Sequence, residues 1–427
     1  MIVLVAVVML FVVGAMAALS IDVVTLYTAR SEAQLAADAA ALAAARVFAN
    51  SGVTSDASRR TTRNARTLAT TIATQVASQN VVGGRTLNTG EITVTFPNQG
   101  DPAFDTNPHV TVAVQRTDLP TFFSRIWGRT ANTVGASATA EAYNPSDANA
   151  LNGTTIPVAP ICVKPWLLPN IDPTKNTTNP IFVTSTGAIW TQNPSLVDQG
   201  WPGPSNSDGL YAGCLFGDCS GGITPPAAGV YYPGAIDAAD FPAPTQALPS
   251  CSAGFNSYQL AIAGCVPLPI TCGANSSINI DTTAYGTTRD ADTVAAAECL
   301  INYTNAPGTS DSIDTATTRP PLQFVAGTQN QVAGAVGKNV MVSPSLVTIP
   351  VINTTTGVSP TNPVQVIGFL QVFLNPLATQ ALPYGSTSPN EIPATIINMA
   401  GCGTGATGQP ILGNGASPVA VRLISPP

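Results

Sequence analysis

The chain opens on an uncharged apolar run from Met1 to Ile21, which passes directly into a polar, alanine-dense stretch ending at Asn50. At about 1.5 Å per helical residue this run covers roughly the 30 Å of a bilayer's hydrocarbon core. The first charge, Asp22, falls where headgroups would begin. A chain that starts this way is expected to carry everything else as the cargo of a membrane-inserted helix, with residues 1–21 as the transmembrane segment.

A second reading of the same run is a secretory signal, because Ala15-Met16-Ala17 before Ala18 fits a small-residue cleavage site. The basic flank that a signal needs at its start is missing, and so is the Lys or Arg that holds an anchor on its cytoplasmic side. A natural start upstream of Met1 accounts for both absences.

Between Asp22 and Asn50 there is no proline and no glycine, which predicts one continuous helix. Small residues recur every fourth position at Ala36, Ala40 and Ala44, and again at Ala37, Ala41 and Ala45. Leu35 and Leu42 flank them at a heptad spacing. This pattern makes the six alanines candidate helix-packing residues for a partner helix supplied in cis or in trans. A second helix is predicted over Ser58 to Gln79, with Leu68, Ile72 and Val76 spaced by four. The cluster Arg59, Arg60, Arg63 and Arg66 at its start reads as a solvated face, with anionic lipid headgroups as the alternative.

From Glu91 the pattern changes to period two. Ile92, Val94 and Phe96 alternate with polar residues, as do Val110, Val112 and Val114, and both read as strands. Leu119 to Gly128 reads as a short amphipathic helix behind Pro120, before a last strand at Thr133 to Tyr143. A long N-terminal helix followed by a small antiparallel sheet is a pilin-like order of elements.

Three blocks of this sequence resemble the TadE/TadG-like Flp-pilus assembly proteins of the bacterial tight-adherence system. They are Ala18-Leu19-Ser20-Ile21-Asp22-Val23, then Leu26-Tyr27-Thr28-Ala29-Arg30, then Gln34-Leu35-Ala36-Ala37-Asp38-Ala39-Ala40-Ala41-Leu42-Ala43-Ala44-Ala45. The resemblance covers the first 50 residues and, more loosely, the chain to about residue 143. It implies a single-pass protein of the bacterial inner membrane with its bulk in the periplasm or outside the cell. The implied partners are pilus or pseudopilin subunits, inner-membrane secretion proteins and membrane lipid. Pilins carry a glutamate inside the apolar helix, whereas this run has no acid before Asp22, which points away from a role as the main fibre subunit. The Asp-x-Ser-x-Ser metal string of some larger members does not occur.

The remainder is chemically different. Residues 1–150 hold ten basic and ten acidic residues and five of the 37 prolines, leaving six basic and thirteen acidic residues and the other 32 prolines for 151–427. The predicted organisation is therefore a pilin-like unit over 22–143, a linker at 144–153 and a β-rich extracytoplasmic domain over 154–427, an α+β chain as a whole. Apolar runs such as Leu346 to Ile349 and Val364 to Phe373 read as strands joined by long loops, the latter as a central strand. One helix is expected at Asp292 to Ile301.

All eight cysteines, Cys162, Cys214, Cys219, Cys251, Cys265, Cys272, Cys299 and Cys402, lie in this second half. An even count beyond a membrane helix reads as disulfides. The competing metal site lacks a Cys-x-x-Cys pair, and the only histidine, His109, lies elsewhere. Among the 105 possible pairings, Cys214 with Cys219 and Cys162 with Cys402 are the two expected candidates.

Charge supplies only 9% of residues and the net charge is -7. Without a basic cluster in the second half, nothing drives nucleic-acid binding by counterion release. No catalytic motif, cofactor fingerprint or metal-ligand spacing occurs, and His109 among alternating valines reads as a strand residue. Asp281, Asp290 and Asp292 suit turn chemistry better than a calcium loop. The expectation is a non-enzymatic component of tight-adherence pilus assembly or a related secretion apparatus. The alternative is a surface adhesin in which Trp166, Trp190, Trp201, Tyr231 and Tyr232 stack on glycan.

Overall fold

In the computed structural model the described residues are 2–55, 63–97, 107–121, 128, 131–145, 157–171, 181–184, 210–212, 229–235, 248–273, 278–284, 289–304, 306, 308–314, 323–355, 358–359, 361–374, 392–402, 411–412 and 417–424. Helix α1 (Ile2–Asn50) is a single 49-residue helix, as the absence of breakers predicts, and at about 1.5 Å per residue it is roughly 73 Å long. Its first 20 residues stand clear of the rest of the chain. From Ala29 onward it is packed into the fold.

Helix α2 (Arg63–Gln79) lies on α1. The ridge it buries is Ala65, Ala69, Ala73 and Ala77, and the expected Leu68, Ile72 and Val76 ridge is only partly covered. Alanines on both helices let the axes approach closely, so the smaller ridge faces inward. Strands β1 (Ile92–Thr95), β2 (His109–Pro120) and β3 (Ala131–Tyr143) follow in antiparallel order. Val110, Val112 and Val114 point into the core shared with α1, while the alternate positions face outward. Leu119 and Pro120 belong to β2, which corrects the helix expected to begin there. Residues 122–127 lie outside the described residues.

The second half is built on a seven-stranded sheet. Its strands are β4 (Trp166–Pro169), β5 (Val230–Ala235), β6 (Asn279–Ile280), β7 (Leu346–Ile352), β8 (Val366–Leu374) and β9 (Ala394–Gly401), in the order β6-β5-β4-β7-β8-β9, and Tyr211–Ala212 pairs with β5. Strand β8 has hydrogen-bonded neighbours on both sides, the central place its apolar run predicts. β7, β8 and β9 are buried on both faces, which their unbroken apolar sequences require. Helices α3 (Ser257–Ala263) and α4 (Asp290–Leu300) pack against each other.

The expected division at 144–153 is crossed twice. The last strand, β10 (Ala420–Ile424), returns to pair antiparallel with β3, so the N-terminal sheet reads β10-β3-β2-β1. The C-terminal end of α1 is also embedded in the second half through buried amides. Gln371 Nε2 donates to Asn50 Oδ1 at 3.0 Å, Asn398 Nδ2 to the Ala49 carbonyl at 2.5 Å, and Asn144 Nδ2 to the Met399 carbonyl at 2.7 Å. Ser55 also donates to Asn398 Oδ1. All these side chains are buried, and hydrogen bonding is what makes their burial tolerable.

Candidate membrane-proximal site

The exposed half of α1 is long and apolar enough to cross a membrane, and none of that window is covered by the rest of the described chain. Asp22, where the apolar run ends, is only 4% exposed. Beyond it one face of the helix stays open. Val24, Tyr27, Thr28, Ser31 and Leu35 fall within about 100° of one another around the axis at 100° per residue, and Tyr27 and Leu35 are 72% and 64% exposed. The six alanines behave in the opposite way. Ala36, Ala37, Ala40, Ala41, Ala44 and Ala45 are all fully buried within this chain, with α2, β2, β3 and β10 around the helix. Of the two sources of a partner that the spacing leaves open, cis and trans, the described chain supplies one in cis. The chain's own sheet and second helix fill the close approach that small residues permit.

The end of this unit nearest the apolar run is tied by charge. The Gly83 N–H donates to Glu32 Oε2 at 2.6 Å, fixing the turn after α2 about 16 Å along the axis from Ile21. Gly83 has φ +57, a left-handed conformation that favours glycine, and a Cβ there would press on the end of the Leu119 side chain. Beside it Arg85 bridges Glu91 at 2.6 Å and Asp118 at 2.7 Å, while Arg116 holds Asp118 at 2.8 Å and donates to the Val82 carbonyl. The hydrogen bonds from Arg85 and Arg116 hold the Asp118 carboxyl down at about 2. The hydrogen bond from Arg85 likewise lowers Glu91.

At the far end of the same sheet Glu141 is 1% exposed and lies between two strand neighbours, His109 on β2 and Arg422 on β10. His109 Nε2 stands 3.4 Å from it, Asn107 Nδ2 donates at 2.9 Å, and Arg422 Nε donates to its other oxygen while stacking over Tyr143. Burial pushes the Glu141 carboxyl up, but the hydrogen bonds from His109, Arg422 and Asn107 outweigh it and hold the group below the ordinary carboxylate range. His109 is thus a strand residue in an ion-pair cluster, as its valine neighbours predict.

Residues 1–47 match the family model described as Putative Flp pilus-assembly TadE/G-like. The match takes in both the exposed apolar half of α1 and most of its buried half, and ends three residues before the helix does. No curated protein and no solved structure matches the chain.

The TadE/G-like segment sets the frame for the other residues read from sequence. Because α2 runs back along α1 to Gly83, its arginine-bearing start lies about 25 Å from the Gly83 turn, on the side away from the apolar run. That places Arg63 and Arg66 far from any headgroups around Asp22, and Arg59 and Arg60 lie outside the described residues. Cys162 pairs with Cys265, Cys251 with Cys299, and Cys272 with Cys402, with Cα separations of 4.3, 5.7 and 5.6 Å. The expected link of Cys162 to Cys402 is therefore corrected, since each is closer to another partner in the body sheet's surroundings. Cys214 and Cys219 lie outside the described residues.

Asp281 and Asp292 both pair with Arg289, at 2.9 and 2.7 Å, and Asp281 also caps its own turn through the Thr283 N–H. Among the described residues no group of His, Cys, Asp or Glu side chains converges as a metal site would. Trp166 and Tyr231 are fully buried and Tyr232 nearly so, which removes three of the five aromatics expected to stack on glycan; Trp190 and Trp201 lie outside the described residues. Sequence reasoning missed Glu141, Arg422, Gln371 and Asn398. The one local signal was the alternation Val419, Val421, Leu423 around Arg422.

Proposed function

We propose that this chain is a non-enzymatic, membrane-anchored component of Flp (tight-adherence) pilus assembly or a related secretion apparatus of the bacterial inner membrane. The apolar half of α1 lies in the bilayer, and the sheets stand in the periplasm or outside the cell. One observation carries the reading: an exposed, membrane-length apolar helix continues unbroken into a helix buried to its last residue, in a segment matched by a pilus-assembly family.

The helix therefore delivers a rigid body. Its alanine face is occupied from within, which leaves the Val24–Tyr27–Leu35 face to meet the helices of pilus or pseudopilin subunits and of inner-membrane secretion proteins. Apolar side chains on an open helix face next to a membrane suit packing against another helix better than solvent. A non-catalytic role fits the side chains themselves, since Arg85, Asp118, Glu141 and Arg289 are all engaged in ion pairs within the fold.

Two measurements test the proposal. Alkaline carbonate should leave the protein in the membrane fraction of a cell that makes Flp pili, and removal of its gene should abolish piliation. Release by carbonate, or unchanged piliation, would overturn it.

A further inference from the structure

The second half of the chain contains a cavity of about 520 Å³ with no part in anchoring. Its volume falls in the range of small-molecule pockets, roughly 300–1,000 Å³. It opens between the end of α3, the end of α4 and the start of β7, and the Cys162–Cys265 disulfide forms one wall.

Three independent features meet there. The lining contains one charged side chain, Lys164, and no carboxylate. Lys164 is nearly fully buried and gives two of its three hydrogens to main-chain carbonyls, Ile262 at 2.6 Å and Gly264 at 2.7 Å. Among the described residues nothing accepts the third. The rest of the wall is largely apolar, with Leu300, Leu346 and Val347 within and Val332 and Val342 at an exposed rim. Cys162 and Asn302, the two non-glycine residues with left-handed backbone among the described residues, each at φ 57, both line it. Such conformations persist where surrounding structure holds them, and they concentrate at ligand sites.

We propose that this cavity binds an apolar monocarboxylate, whose carboxylate takes the third hydrogen of Lys164 and whose hydrocarbon body lies against Leu300, Leu346 and the Val332–Val342 rim. Charge complementarity selects the ligand. A buried cation with no ion-pair partner among the described residues is costly, and an incoming carboxylate supplies both the charge and the acceptor. Burial already pulls the Lys164 ammonium down to about 7, and a bound anion would oppose that shift. A neutral ligand of the same shape would gain only the apolar contact.

The test uses the full chain in lipid nanodiscs, titrated calorimetrically with 4-phenylbutyrate and with 4-phenylbutan-1-ol after subtraction of empty nanodiscs. The acid should bind saturably and the alcohol at least tenfold more weakly. Lys164→Met should bring the acid to the level of the alcohol. Val342→Glu, at a rim position 59% exposed, should weaken the acid at least fivefold, and it keeps the test decisive if the lysine variant does not fold. Equal binding of acid and alcohol, no saturable binding of the acid, or indifference to Val342→Glu would overturn the proposal. Binding of an apolar tetrapeptide acid without binding of 4-phenylbutyrate would also overturn it, reassigning the cavity to a chain terminus.

Discussion

Gln371 in the middle of β8 donates its side-chain amide to Asn50, the last residue of α1, at 3.0 Å. The two residues are 321 positions apart, and both are buried. Around them Asn398 holds the Ala49 carbonyl and receives Ser55. A helix end normally leaves four carbonyls to water or a cap, and here side chains of the second half take over part of that role. Helix α1 and the body sheet are consequently one mechanical unit.

Asn398→Ala should reveal that coupling. It removes a buried donor from Ala49 and an acceptor from Ser55, at a cost of roughly 2–4 kcal/mol for the stranded groups. The measurement is urea denaturation of the full chain in detergent, where the midpoint should fall and the slope should stay constant.

The Glu141 cluster predicts a pH dependence. Its folded-state pKa is depressed, so its stabilising contribution is present above the unfolded value of about 4.3 and is lost as pH falls through the folded value. The urea midpoint should drop on acidification below about pH 4.5. Arg422→Met should cost on the order of 2 kcal/mol at pH 7, because Glu141 keeps His109 and Asn107 but loses its arginine. Glu141→Gln should flatten the acid limb, measured by the same titration.

Lys164 gives the same sign in a more alkaline window. Its pKa falls from an ordinary 10.5 to about 7 in the fold, so between those values the unfolded chain binds more protons, and stability rises with pH from about 7 to 10.5. In Lys164→Met the slope of the urea midpoint over this window should be smaller than in the parent.

The Cys272–Cys402 bridge closes a loop of 130 residues and fastens the segment just beyond β9. The double change to serine should cost about 2–5 kcal/mol. Peptide mapping without reduction should recover Cys162 with Cys265 and Cys272 with Cys402.

The parts legible in the sequence are those written in local pattern. The unbroken stretch after Asp22 gives α1, the valines at 110, 112 and 114 give β2, and the run ending at Phe373 gives an interior strand. What met those elements was not legible, because it depends on residues hundreds of positions away. The spacing of Ala36, Ala40 and Ala44 calls for a close neighbour without saying whether a helix or a sheet provides it, and here both do. In α2 the eye goes to Leu68, Ile72 and Val76, yet against an alanine face the small ridge packs best. Arg422 and Glu141 look like isolated charges in sequence and become partners only because the last strand returns to the first sheet.

The central claim is that the open face of α1 meets pilus machinery while the alanine face is closed. Site-specific photo-crosslinking in piliated cells tests it most directly, with the reactive side chain at Tyr27 or Leu35 and, as the contrast, at Ala40. Adducts to pilus or secretion proteins from Tyr27 and Leu35, with none from Ala40, are the predicted result. Adducts from Ala40 alone, or none to pilus machinery from any of the three, would contradict it.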